Sequence, residues 1–251
     1  GGINYVQVID PNLNVVINQI VVGLAPSGIC YVPFNNNIYV TNQTAGTVSV
    51  ISPLTDTVTS TIVLIADLVT YTPGALQYCP TNNCLYIINY ATNNIYVLNL
   101  ITAAQSLVTV GANPYDVQYC PTNNYIYVAN QTPSTVTIIN ADGNTVFKTV
   151  NVGTGPSGIG WCPTRNIMYV ANNGSGNLSA IQCGEQVTAD RLTSFGLASL
   201  KKAGNFLTSN GGTTGNQYAS VYNTGGSYFF GLENASGNSL ASGTVGYSVV
   251  L

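Results

Sequence analysis

PSGICYVPFNNNIYVTN, residues 26–42, decides how the chain is read, because it returns three times. The copies are PGALQYCPTNNCLYIIN at 73–89, PYDVQYCPTNNYIYVAN at 114–130 and PSGIGWCPTRNIMYVAN at 156–172. A fixed period constrains a fold before any local propensity does. The central tyrosines, Tyr39, Tyr86, Tyr127 and Tyr169, lie 47, 41 and 42 residues apart, in or near the range that goes with four strands per propeller blade. Extra residues around 65–72 account for the longer first interval. Each copy alternates β-branched or aromatic residues with polar ones, is cut by Pro and Asn turns, and shows no sustained helical period. One copy therefore predicts four strands, near 28–32, 38–41, 47–51 and 58–63, with a tight turn at 33–36.

Outward from the copies, the ends are uneven. Tyr5 to Asp10 and Val15 to Val22 match the third and fourth strands of a copy, and the last copy supplies three strands that end at 178–182. Seventeen strands fill neither four nor five blades. Two expectations follow: further repeats precede Gly1, or three strands from the tail complete a fifth blade. Unpaired edges would otherwise invite pairing with another chain. From Gly184 to Leu251 the sequence becomes rich in Gly, Ser, Asn and Thr. A short helix is predicted at 190–203, with Arg191, Lys201 and Lys202 on it, and strand-like runs at 217–222, 227–232 and 244–251. The basic pair reads as a helix C-terminal turn that favours the dipole. The expected fold is all-β: a β-propeller of four-stranded blades over 1–183, four to five of them visible, and a small β-rich appendage over 184–251.

Tyr-Val-Thr-Asn at 39–42 and Tyr-Val-Ala-Asn at 127–130 and 169–172 carry a family resemblance. Thr-Val-Ser-Val-Ile follows at 47–51, and Val-Gly closes copies at 110–111 and 152–153. Together they resemble the YVTN family of β-propeller repeats, typified by archaeal and bacterial surface-layer and secreted proteins. The resemblance covers roughly residues 3–183 and implies a propeller; one propeller scaffold hosts many activities, so it implies little about chemistry.

Composition narrows the function. Of 251 residues, 5 are Lys or Arg, 8 are Asp or Glu and none is His, giving a net charge of -3. A nucleic-acid partner needs a basic surface, which is absent here, and no apolar run reaches the roughly 18–20 residues of a membrane span. Without His there is no Ser-His-Asp or Cys-His machinery, and no Cys-x-x-Cys offers a metal site, so neither a cofactor nor a metal is expected. The alternative enzyme reading, a carbohydrate-active or lyase-type propeller, must rely on the carboxylates Asp10, Asp56, Asp67, Asp116, Asp142, Glu185, Asp190 and Glu233. Asp116 alone lies in a loop entering a first strand, where it could face a central channel. Asp10, Asp56 and Asp142 suit turns.

Three groups of candidate site residues remain. Asn42, Asn130, Asn173, Asn177 and Asn234 begin Asn-x-Ser/Thr sequons, acceptors for N-glycosylation in a secreted protein. Asn42 and Asn130 share one repeat position, which would put their glycans on one face. Cys79, Cys120 and Cys162 also share a position and read as small buried hydrophobes, whereas Cys79 and Cys84 bracket a hairpin turn and could form a local disulfide. Tyr90, Tyr115 and Tyr125, with Asp116, could contact a sugar, or the rings could be inter-blade packing.

The reading these features favour is a non-enzymatic extracellular surface protein. It would be a structural or attachment module of a cell envelope, appendage or virion, acting through other surface-protein subunits or cell-surface glycans within an oligomeric assembly. A secreted binding module for a small ligand is a further alternative. With so few groups to titrate, stability should vary little with pH, which suits an acidic or otherwise harsh exterior.

Overall fold

A computed structural model describes residues 4–65 and 72–184, and the backbone of 218–224 and 227–233. Strand β1 (Tyr5–Asp10) pairs with β2 (Val15–Val21). Three four-stranded antiparallel sheets follow. The first holds β3 (Pro26–Val32), β4 (Asn37–Asn42), β5 (Thr47–Ser52) and β6 (Thr57–Val63); the second holds β7 (Pro73–Cys79), β8 (Cys84–Asn89), β9 (Asn94–Asn99) and β10 (Gln105–Thr109). The third holds β11 (Pro114–Cys120), β12 (Tyr125–Asn130), β13 (Thr135–Asn140) and β14 (Thr145–Asn151), and a three-stranded sheet follows from β15 (Pro156–Cys162), β16 (Ile167–Asn172) and β17 (Asn177–Gln182). In each complete sheet, strands pair in chain order. The first strands β3, β7, β11 and β15 neighbour one another from sheet to sheet, while the fourth strands barely touch. That radial arrangement is a set of propeller blades.

The chain divides into two compact units, Gly1–Gln186 and Val187–Leu251. In the second, β18 (Tyr218–Thr224) and β19 (Ser227–Glu233) form their own two-stranded sheet. The helix expected at 190–203 and the run at 244–251 lie outside the described residues, as do Asp67, Glu185, Asp190 and Asn234.

The Asn-rich turns have one local cause. The second Asn of each repeat turn, Asn36, Asn83, Asn124 and Asn166, has φ between 50° and 57°, a left-handed conformation that Asn tolerates better than most residues. The same Asn accepts from the ring five residues earlier. Tyr31, Tyr78 and Tyr119 donate their hydroxyls to it at 2.8, 2.6 and 3.1 Å, and Trp161 donates Nε1–H at 3.3 Å. The preceding residue holds the central tyrosine: Asn35, Asn82 and Asn123 each donate Nδ2 to the hydroxyl of Tyr39, Tyr86 and Tyr127 at 2.8 Å. In the last copy Arg165 replaces this Asn and reaches Tyr169 at 3.0 Å. Each turn thus satisfies the polar end of a ring whose body fills the blade core, where Tyr86 and Tyr127 are buried.

Blades lock together through another repeated residue. Asn42 donates Nδ2 to the hydroxyls of Thr47 and Ser49 at 3.0 and 2.9 Å, and Asn130 to Thr135 and Thr137 at 3.1 and 2.9 Å. The preceding blade ends on a glycine laid against that Asn: a Cβ on Gly23 would stand 2.6 Å from Asn42 Cγ, and one on Gly111 2.6 Å from Asn130 Cγ. Gly111 N–H also donates to Thr137 Oγ1 at 3.2 Å, and Gly153 N–H to Ser179 Oγ at 3.1 Å. The closing Val-Gly of the repeat is therefore an inter-blade contact that only a residue without a side chain can make. In the second blade Tyr96 stands where the others have Ser or Thr, and Asn89 donates to its hydroxyl at 3.0 Å.

Candidate functional site

Two of the four residues expected to meet a ligand come together. Tyr90 follows β8 and Tyr115 lies in β11, and their rings stand 5.6 Å apart, tilted by 48°. With Gln43, Asn113, Pro114 and Gln131 they line an open cleft of about 360 Å³. The repeat explains why these residues converge. Gln43, Tyr90 and Gln131 are each the residue just after the second strand, at the end of successive blades. Tyr90 is set by its neighbours: Ala75 N–H donates to its hydroxyl oxygen, and burial holds the phenol above its ordinary pKa. Gly74 makes room, because a Cβ there would stand 2.2 Å from the Tyr90 ring. The cleft lining carries no ionisable carboxylate or amine; it offers two rings and three side-chain amides.

Asp116 stands beside the cleft, not in its lining. Its carboxylate accepts from Val117 N–H through Oδ1 and from Ile159 N–H through Oδ2, both at 2.9 Å. Each oxygen is thus already bonded to backbone, and the second bond joins the third blade to β15. Desolvation by burial raises the Asp116 pKa above the usual carboxylate value, against the lowering effect of those two hydrogen bonds. A carboxyl whose folded pKa is raised contributes stability that is fully present below the ordinary value, about 4, and is lost as pH rises through the folded value. The stability advantage of the native chain over Asp116→Asn should accordingly be largest near pH 3 and decline by pH 7, read from paired chemical-denaturation curves. An advantage that grows with pH would contradict this assignment.

Tyr125 belongs elsewhere. It begins β12, at the opposite end of the strand from Asn130, and stacks on Phe147 with centroids 4.9 Å apart and planes at 26°. Its ring packs against the Phe147 side chain of β14 and is not among the residues that line the Tyr90 and Tyr115 cleft.

The paired sequons are corrected as well. Asn42 and Asn130 have no solvent exposure, and their amide nitrogens, the atoms a glycan would occupy, are spent on the hydroxyls that lock the blades. An attached sugar would have to replace those bonds and displace Gly23 and Gly111. The hydroxyl partners share a spacing visible in the sequence, five and seven residues on, at 42, 47, 49 and at 130, 135, 137, whereas the cover by glycine is not visible there. Asn173 and Asn177 are exposed and line a second cleft of about 350 Å³ in the last blade.

The hairpin cysteines are register partners, Cys79 opposite Cys84, yet both are free thiols. Their hydrogen bonds diverge: Cys79 Sγ lies 3.1 Å from Thr81 Oγ1, and Cys84 donates to Asn82 O at 3.4 Å. Burial pushes the Cys84 thiol up to about 11. The local disulfide is not formed in this structure.

No protein-family profile matches the chain, and no curated protein sequence does. Its fold is similar to chains of three solved structures. One is hydrazine synthase from Kuenenia stuttgartiensis, with TM-score 0.54 and 20% identity over 62% of this chain and 45% of that one. A putative 6-phosphogluconolactonase from Bacteroides uniformis gives 0.52 and 13%, over 67% and 60%. The mitotic checkpoint complex gives 0.54 and 16%, over 66% and 51%. The chain spans about half the length of these proteins, from 45% to 60%. At such identities the likeness is one of fold, and it places the sheets described above among propeller-type structures.

Proposed function

We propose that the chain is a YVTN-type propeller of an extracellular surface, a non-enzymatic module of an envelope, appendage or virion that attaches through glycan or protein contacts. The observation that carries this reading is the Tyr90 and Tyr115 cleft. Tilted rings flanked by Gln43, Asn113 and Gln131 suit a neutral polyol, whose C–H faces stack on aromatic rings while its hydroxyls pair with amides. A lining without charge favours a neutral sugar over an anionic one. Exposed apolar side chains on β2, on β3 and in the turn after β3, among them Val15, Ile17, Val21, Ile29, Tyr31 and Phe34, support contact with further subunits. The engagement of both Asp116 oxygens argues against the carboxylate-enzyme alternative.

A panel of neutral glycans tested against the full chain should find binders that Tyr90→Ala and Tyr115→Ala each weaken roughly tenfold, since truncating a stacked aromatic anchor costs on the order of 1–2 kcal/mol. Gly74→Ala should weaken binding as well, by displacing Tyr90 while leaving both rings in the chain. Equal affinity in all four proteins, or no glycan bound by any, would overturn the reading.

A further inference from the structure

The thiols of Cys120 and Cys183 are brought together by the repeat, and nothing in the function proposed above uses them. In each blade the residue before the turn proline packs against the residue that follows the third strand of the next blade. Val32 shares its core with Leu100, Cys79 with Ala141, and Cys120 with Cys183. The register is set by backbone: Leu100, Ala141 and Cys183 donate N–H to the carbonyls of Asn83, Asn124 and Asn166 at 2.9, 3.1 and 3.0 Å. In the last pair both members are cysteines, both have no solvent exposure, and both belong to one core cluster. Asn166 spans the two, its Oδ1 3.9 Å from Cys120 Sγ and its Nδ2 bonded to Cys183 O.

We propose that Cys120 and Cys183 are a disulfide-forming pair that, when oxidised, staples β17 to the third blade. Among the described residues β17 is the edge of the three-stranded sheet, and a sheet edge is where a ladder is most prone to open or to pair with another chain. A covalent link from Cys183, just past β17, would hold that edge. It would close a loop across most of two blades, the long-loop case in which a crosslink restricts the unfolded chain most.

The chemistry balances with an external low-molecular-weight disulfide such as oxidised glutathione. Cys120, as thiolate, attacks one sulfur of that disulfide, forming a mixed disulfide and releasing one thiolate, which takes up a proton. Cys183 then loses its proton and attacks Cys120 Sγ, and the second thiolate leaves. The protein sulfurs give up two electrons and two protons, and the oxidant becomes two thiols. Two features favour Cys120 as first nucleophile. The adjoining Cys183 thiol, with the N–H donors of Thr122 and Asn123, holds its pKa below the ordinary thiol value, and the same contact, with burial, raises that of Cys183. The oxidant would gain access when the β17 edge opens locally.

The experiment exposes the folded full chain to oxidised glutathione, denatures it, alkylates remaining thiols and maps peptides by mass. The expected product lacks two hydrogen atoms, escapes alkylation at Cys120 and Cys183 and shows their peptides linked, while Cys30, Cys79, Cys84 and Cys162 are alkylated. Its melting temperature should exceed that of the reduced chain. Cys183→Ala is a control that keeps the packing, since Ala141 fills the same place in the preceding blade; it should abolish both the linkage and the oxidative rise in melting temperature. Alkylation of Cys120 and Cys183 after full exposure, a Cys79 to Cys84 linkage in their place, or an unchanged response in Cys183→Ala would each overturn the proposal.

Discussion

Tyr127→Ala should lower the free energy of unfolding by about 3–5 kcal/mol, the cost of deleting a large buried aromatic. Tyr127 is 2% exposed and packs between Cys120, Val136, Ile138 and Val170 in a core shared by two blades. Its loss would also leave Asn123 Nδ2, which donates to the hydroxyl at 2.8 Å, without its acceptor. An unpaired buried donor alone costs about 1–3 kcal/mol, so Tyr127→Phe should show that smaller part by itself. Tyr169→Ala provides the contrast. The same repeat position is only partly buried in the last blade, and its hydroxyl is held by exposed Arg165, so the loss should be clearly smaller. Denaturant midpoints of the three variants would test this order; equal losses at Tyr127 and Tyr169 would show that the blades do not differ as described.

Gly111→Ala should cost about 2–4 kcal/mol, large for one added methyl. A Cβ would stand 2.6, 2.7 and 2.8 Å from atoms of Asn130, and that side chain is fully buried and holds hydrogen bonds to Thr135 and Thr137. Either the blades separate locally, an overpacking strain of roughly 1–3 kcal/mol, or Asn130 moves and its bonds are lost. Asn130→Ala removes the two nearer obstacles, Cγ and Nδ2, together with the bonds, and leaves Cβ at 2.8 Å. The double variant Gly111→Ala with Asn130→Ala should therefore be less destabilised than the two single losses added, because the second change relieves part of the clash of the first. Strict additivity would mean that the glycine and the asparagine do not meet. Gly143→Ala makes a suitable control, since the nearest atom to a Cβ there is Thr145 Oγ1 at 3.7 Å.

Much of the fold was legible because it is local. The alternation in IYVTN and TVSVI, and the turn residues that recur beside them, define antiparallel hairpins whose connections are short, and such hairpins need no knowledge of distant residues. The strands expected near 28–32, 38–41, 47–51 and 58–63 lie within β3 to β6. The candidate site was legible in part. Tyr90 and Tyr115 do meet, but nothing in the chain near Tyr125 distinguishes it from them: all three are tyrosines at strand ends, and only the strand direction separates one end of a blade from the other.

The sequence by itself determined the period, the four-strand unit and the left-handed turns, since each depends on residues within about forty positions of one another. Tertiary structure decided what those residues do at the seams. Asn42 and Asn130 read as surface sequons until the packing of the preceding blade shows them sealed beneath Gly23 and Gly111. Asp116 reads as a free carboxylate until Ile159 N–H, 43 residues away, is found on it. Cys183 lies 63 residues from Cys120 in the chain and shares a core with it across a blade boundary. The physical reason is common to all three: burial and contact at a blade interface join groups from different repeats, backbone or side chain, and a repeat read alone contains only one member of each pair.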